Sequence, residues 1–145
     1  TAIRRQRPDL PATALQRTRA LMERAVPEAR VTGYEALIDP LALPDPDDRH
    51  VLAAAIHARA DTIVTFNLKD FPAAVLAAYG IEAQHPDDFV CQLHELAPAA
   101  VYAAVRQQRE ALQHPPKSAQ ELLDTLRSLG LVHTVAALEP LRALL

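Results

Sequence analysis

Apolar positions along this chain follow helical spacing in most segments and strand-like runs in a few. Asp9-Leu10-Pro11 reads as a helix start. Ala14, Leu15, Leu21, Met22, Ala25 and Val26 form the apolar stripe of a helix that Pro27 ends. Ala29 to Tyr34 (ARVTGY) predicts a short strand, weakened by Gly33. An irregular apolar connection, Leu37 to Leu43, leads to a helix from about Pro46 to Arg59, with Val51, Leu52, Ala55 and Ile56 on one face. Thr62-Ile63-Val64-Thr65-Phe66 is the clearest strand. Its β-branched, nearly continuous apolarity predicts a parallel strand covered on both faces. Pro72 opens a helix to about Tyr79, stopped by Gly80; Ile81-Glu82-Ala83 is a short strand; His85-Pro86-Asp87-Asp88-Phe89 starts another helix.

Strands and helices alternating with short connections predict an α/β layered domain built on a short parallel sheet. Beyond about Leu96 the texture changes to helices alone. Pro98 to Gln113 is one helix, His114-Pro115-Pro116-Lys117 a break, and Ser118-Ala119-Gln120-Glu121 a capping box for a helix ending at Gly130. Leu131 to Leu145 is a last helical segment, bent near Pro140. The expected division is an α/β domain over residues 1–96 and a helical extension over 97–145.

Composition adds limits rather than detail. Half of the 145 residues are apolar and only three are Gly, which suits a helix-rich globular chain with a real core. No apolar stretch approaches membrane-spanning length, and no signal peptide is visible. The lone Cys91 cannot form an internal disulfide, which points to a reducing cytoplasmic setting. The aromatics Tyr34, Phe66, Phe71, Tyr79 and Phe89 are expected in the core. They are too few for an extended base-stacking surface.

The net charge of −3 gives no nucleic-acid footprint, but its distribution is uneven. Residues 1–30 carry Arg4, Arg5, Arg7, Arg17, Arg19, Arg24 and Arg30, and the stretch ending at Asp48 is acidic. Asp45-Pro46-Asp47-Asp48 places three carboxylates in four residues. Such crowding needs compensation, which a helix N-terminus or a divalent cation can give. Asp45 at the N-cap, Pro46 at the first helical position and Asp47 and Asp48 in the first turn make a good helix start. The recurrence of the pattern at Pro86-Asp87-Asp88 favours capping when the cluster is taken alone. Position favours a cation, because ligands of an open parallel sheet bind beyond the carboxyl ends of its strands. Asn67 and Asp70 follow Thr62–Phe66 directly, so oxygen atoms from both segments can reach one rim and suit Mg²⁺ or Mn²⁺.

Two stretches carry a resemblance to a known family. Asp48-Arg49-His50-Val51-Leu52-Ala53-Ala54-Ala55, followed by Ile63-Val64-Thr65-Phe66-Asn67-Leu68-Lys69-Asp70-Phe71, resembles the C-terminal half of PIN-domain ribonucleases. It is similar in particular to VapC-type toxins that carry a C-terminal helical extension. Leu43-Pro44-Asp45-Pro46-Asp47-Asp48 and Tyr79-Gly80-Ile81-Glu82-Ala83 fit one subgroup. The resemblance covers about residues 10–95 and implies a three-layer PIN-like domain. It implies an acidic cluster that holds one or two Mg²⁺ or Mn²⁺ ions, which activate water for hydrolysis of RNA phosphodiesters. Carried over residue by residue, Asp48, Asn67 and Asp70 are the catalytic candidates. Asp48 and Asn67, with Asp47 beside them, are the expected metal ligands, and Thr65 can orient a ligand. Apart from the resemblance, Arg49 and Lys69 flank this site and can contact RNA phosphate or stand as plain surface charges. A cognate antitoxin is the implied protein partner.

The sequence departs from the family in two ways. Asn67 is neutral where many members carry Asp, which weakens a second metal site. The family also opens with an apolar strand ending in Asp and a helix with a further acid, and neither precedes the matched region here. The chain, whose first residue is Thr, is therefore expected to be shortened at its N-terminus and possessed of an incomplete sheet. A homo-oligomer or a partner completing that sheet is expected, and the chain as it stands can be inactive. The alternative function is a catalytically incomplete PIN-like module that binds an antitoxin or a second copy.

Other chemistries lack a pattern. His50 and His57 read as surface residues, and His85 can face the same edge as Asn67. His94, His114 and His133 have no carboxylate at useful sequence spacing. There is no Cys–His zinc spacing, no phosphate-binding glycine loop, no nucleophile elbow and no motif around Cys91. A phosphate-accepting receiver-like domain would share the clustered Asp residues, but no central phosphate-accepting Asp is identifiable.

Overall fold

A computed structural model describes residues 12–145 of the chain. The helix start expected at residues 9–11, with Arg4, Arg5 and Arg7, lies outside the described residues. The first helix, α1 (Ala12–Ala25), ends before Pro27 as expected. In its second half Leu21, Met22 and the following Val26 are exposed.

The strand expected over residues 29–34 does not form. Pro27–Ala29 is a single 3₁₀ turn, Gly33 takes a positive φ of 84°, and Glu35–Leu37 is another 3₁₀ turn. Among the described residues no strand pairs with this segment, and β-propensity without a partner does not hold a ladder.

From Asp45 onward sequence and structure agree closely. Asp45 is the N-cap of a 3₁₀ turn, Pro46–Asp48, with Pro46 at its first position; its Oδ1 accepts from the Asp47 N–H at 2.8 Å. The turn runs into helix α2 (Arg49–Ala58), which buries Leu52, Ala53 and Ala55 and is closed by Arg59 in the left-handed region, φ 54°. Strand β1 (Thr62–Val64) follows. Helix α3 (Ala73–Leu76) and a 3₁₀ turn, Ala77–Tyr79, end at Gly80, φ 68°. Strand β2 (Glu82–Gln84) pairs parallel to β1 with Thr62 opposite Glu82, Ile63 opposite Ala83 and Val64 opposite Gln84. The Thr65 N–H donates to the Gln84 carbonyl at 2.9 Å and extends the ladder by one bond.

The resulting sheet has two strands among the described residues. One face carries Ile63, buried with Leu41, Leu52, Phe71, Leu76 and Ile81 in the first apolar core. The other face is open: Val64 is 43% exposed, so β1 is not covered on both sides as its apolar texture predicts.

Helix α4 (Pro86–Leu96) starts at the end of β2. Helices α5 (Pro98–Ala111), α6 (Ala119–Ser128) and α7 (Val132–Leu138) follow, and a 3₁₀ segment, Glu139–Leu144, ends at Leu145. The expected capping box is present. Ser118 Oγ accepts from the Glu121 N–H, and Glu121 accepts from the Ser118 N–H. Tyr102, Val105, Leu122, Leu123, Val135 and Leu138 are central to a second core. Helix α4 packs against both α5 and α7. Among the described residues no helix is long and apolar enough to cross a membrane.

Candidate active site

The β1 strand ends where the chain must turn away from the sheet, and the turn is built from its own polar groups. Thr65 Oγ1 accepts from the Asn67 N–H at 3.0 Å. Leu68–Asp70 then forms a 3₁₀ turn, and the Asn67 amide donates to Asp70 Oδ2. This places Thr65, Asn67 and Asp70 on one rim. The acidic turn before α2 reaches the same place. Asp45, Asp48, Thr65, Asn67 and Asp70 line a cavity of ≈ 350 Å³ floored by Val51, Ile63, Val64 and Phe71. The structure therefore brings Asp48 together with Asn67 and Asp70, although 19 residues separate Asp48 from Asn67 in sequence.

The electrostatics of this cavity are those of crowded carboxylates. Burial pushes the Asp48 carboxyl up from its ordinary range, and the charges of Asp45, Asp70 and Asp47 push it further, against a smaller opposing effect of His50. Asp48 stands at the N-cap of α2 and makes no side-chain cap hydrogen bond. The cap bond is thus the task of Asp45, and the Asp48 side chain takes no part in it.

The other expected site residues are distributed around this centre. Asp47 lies in the exposed first turn, its N–H bonded to Asp45, and does not line the cavity. Arg49 donates through Nε to the Pro46 carbonyl at 3.0 Å and does not line the cavity. Lys69 is exposed in the turn between Asn67 and Asp70. Asp45, expected only as a cap, is a cavity residue as well. Its signal is the spacing to Asp48, three residues apart and hence on one side of the helix start.

Two histidines differ from expectation. His85 caps α4, its Nδ1 accepting from the Asp87 N–H at 3.2 Å, and its ring meets Phe66 edge to face at 5.2 Å between centroids. His133, which has no carboxylate near it in sequence, has one in space: its Nδ1 lies 2.9 Å from Asp87 Oδ2. The Phe66 ring, expected in the core, is 60% exposed, and Tyr79 is exposed as well.

Among the described residues no group of three or more His, Cys, Asp or Glu side chains forms a ready metal cage. The chemistry of the donors at the cavity is nevertheless that of a hard cation: carboxylates of Asp45, Asp48 and Asp70 and the amide oxygen of Asn67. Such cations keep several waters and need few protein ligands. Two larger cavities, ≈ 620 and ≈ 590 Å³, lie in the C-terminal helices. They lack convergent carboxylates. Arg109 in the first is held by the carbonyls of Leu145 and Lys117, and Glu139 is paired with Arg127 at 2.9 Å.

Comparison with known proteins shows what these features are similar to. The PIN domain family model matches residues 2–69, and the VapC50 C-terminal domain model matches residues 86–140. VapC50 of Mycobacterium tuberculosis, designated a candidate ribonuclease, is 47% identical over 79 residues, 54% of this chain. The chain covers 47% of that relative, about half its length. No solved structure gives a significant match. The acidic turn, α2, β1 and the Thr65–Asp70 rim thus fit an α/β PIN-like fold, and the chain is similar to PIN-domain proteins in its N-terminal half and to the VapC50 C-terminal domain beyond it.

Proposed function

We propose that this chain supplies the catalytic cleft of a metal-dependent endoribonuclease of the toxin–antitoxin class, which hydrolyses RNA phosphodiesters. The observation that carries this reading is the meeting of Asp48, on the acidic helix start, with Asn67 and Asp70, at the carboxyl end of a parallel strand. The raised proton affinity of Asp48 supports it, because carboxylates that repel one another are relieved by a bound cation. Asp48 and Asn67, with the charge of Asp47 behind them, would hold Mg²⁺ or Mn²⁺. Bound there, the ion would activate water and offset negative charge on the phosphate. Asp70 orients the Asn67 amide through their hydrogen bond. Thr65 fixes the backbone of Asn67. Arg49 and Lys69 lie on the flanks from which a phosphodiester chain would approach.

The same reading assigns residues 1–96 to the catalytic part and 97–145 to a helical extension; two apolar cores that share no residue support two parts, with α4 (Pro86–Leu96) packed on the extension's helices. It places the protein in the cytoplasm, with a cognate antitoxin as partner and a second copy or another chain completing the sheet. A non-catalytic interaction module is the second reading, favoured by the lack of a three-residue metal cage among the described residues.

Manganese titration with RNA cleavage separates the two. The nuclease binds Mn²⁺ at one site, cleaves unstructured RNA only with the metal, and loses both in Asp48→Asn. Weak, diffuse Mn²⁺ binding without cleavage establishes the interaction module. Cleavage that survives Asp48→Asn rejects the assigned site.

A further inference from the structure

Phe66, two residues beyond β1, occupies an unusual place for a large apolar side chain. Its neighbours on both sides, Thr65 and Asn67, line the acidic cavity. Its own ring is 60% exposed, although an apolar ring ordinarily withdraws from water when a core is within reach. Phe71, five residues on, is by contrast 5% exposed within the first core.

The ring is nevertheless braced. His85, at the end of β2, meets it at 86° with centroids 5.2 Å apart. The His85 ring is itself held by the Asp87 N–H. On another side lies the turn before α7, where a Cβ added at Gly130 would stand 3.9 Å from Phe66 Cε1. Gly130 has φ 92°, a conformation that favours glycine, and its turn stands at van der Waals distance from the ring. Two elements from different parts of the chain thus hold an aromatic ring with an open surface beside the candidate active site.

An open aromatic ring next to a phosphate-hydrolysing cavity matches the chemistry of single-stranded RNA, in which an unpaired base is available to stack. We propose that Phe66 is a nucleobase-stacking subsite that holds the base adjoining the phosphodiester in the Asp48–Asn67 cavity. This rests on the nuclease reading of that cavity. The subsite selects unpaired RNA and tolerates any base, because every base offers a π-face. Lys69, exposed three residues on, is available to the neighbouring phosphate.

The test uses the full chain and a short unstructured RNA carrying one 2-aminopurine, with Ca²⁺ present for binding and Mn²⁺ for cleavage. Stacking quenches the 2-aminopurine fluorescence. The parent and Phe66→Trp should quench it and bind alike. Phe66→Leu, apolar but without a π-face, should lose the quench and bind about 5- to 150-fold more weakly. Melting temperatures of the variants close to the parent's check that the exposed position leaves the fold intact. Phe66→Leu binding and quenching like the parent overturns the subsite, even where cleavage is intact. An unquenched parent overturns it too. Cleavage that is absent while the parent still quenches overturns the nuclease reading and leaves the stacking surface standing.

Discussion

Asp87 offers the sharpest test of how the two parts of the chain are joined. Its side chain is buried, 3% exposed at the residue level, at the start of α4. Its carboxylate does not cap its own helix. Oδ1 accepts from the Thr134 N–H at 2.7 Å and Oδ2 from the His133 N–H at 2.9 Å, so Asp87 caps α7 from 46 residues away. Burial alone would raise its proton affinity, but the backbone N–H groups of Thr134 and His133, and then their side chains, outweigh it and hold the pKa at about 2 against an ordinary 3.8. At about 1.36 kcal/mol for each tenfold change in proton affinity, this corresponds to roughly 2 kcal/mol of stability from the ionised form. The folded-state value is depressed, so the contribution is fully present above about pH 4 and is lost as pH falls through about 2. In Asp87→Asn one oxygen becomes an NH₂ group that faces an N–H, donor against donor. Urea denaturation followed by circular dichroism should show the variant roughly 2 kcal/mol less stable at pH 7. That difference should shrink to about a third near pH 2.5. An equal difference at both pH values, or none at pH 7, would refute the claim that an ionised Asp87 joins α4 to α7.

Other expectations follow from the cavity and the two cores. Asp48 has a raised proton affinity, so its ionisation at neutral pH opposes folding; metal-free Asp48→Asn should melt above the parent at pH 7 and alongside it near pH 3, whereas added Mn²⁺ should raise the melting temperature of the parent alone. Ser118→Ala removes the oxygen that accepts from the Glu121 N–H and should cost about 0.5–2 kcal/mol in urea denaturation. Leu52→Ala and Leu123→Ala each open space at a fully buried site and should cost about 2–5 kcal/mol. In hydrogen exchange the first should loosen mainly α2 and the sheet, the second mainly α5 to α7, because the residues sit in separate cores.

How much of this was legible in the sequence depends on the range of the interactions involved. The helix starts at Asp45-Pro46 and Ser118, the strand at Thr62, and the stops at Gly80 and Gly130 rest on groups within a few residues of one another, and the structure has each of them. The segment at residues 29–34 has strand-like side chains, but a strand requires a neighbour, which local sequence does not provide. The apolar run of Thr62–Phe66 likewise could not tell a strand covered twice from one with an open face. In the cavity, Asn67 and Asp70 follow β1 directly and their place at its end was foreseeable, whereas the strand expected to lead the acidic turn to that rim does not form, and Asp48 arrives there through the packing of α2 on β1. The pairing of His133 with Asp87 was not, since it is set by how α7 lies on α4.

Pro46-Asp47-Asp48 and Pro86-Asp87-Asp88 show why a motif does not settle a role. Both tripeptides open a helix, and both have Pro in its favoured first position. If capping accounted for the acids, the two copies would bond alike. In the second copy the cap comes from His85, which frees Asp87 to hold another helix. In the first, Asp45 is the cap, which leaves Asp48 without a cap bond beside like charges at the end of β1. A carboxylate placed among other carboxylates with no structural bond to make raises the energy of the fold. The cap bond therefore explains Asp45 but not Asp48. A hard cation is the partner whose charge would turn that repulsion into binding energy.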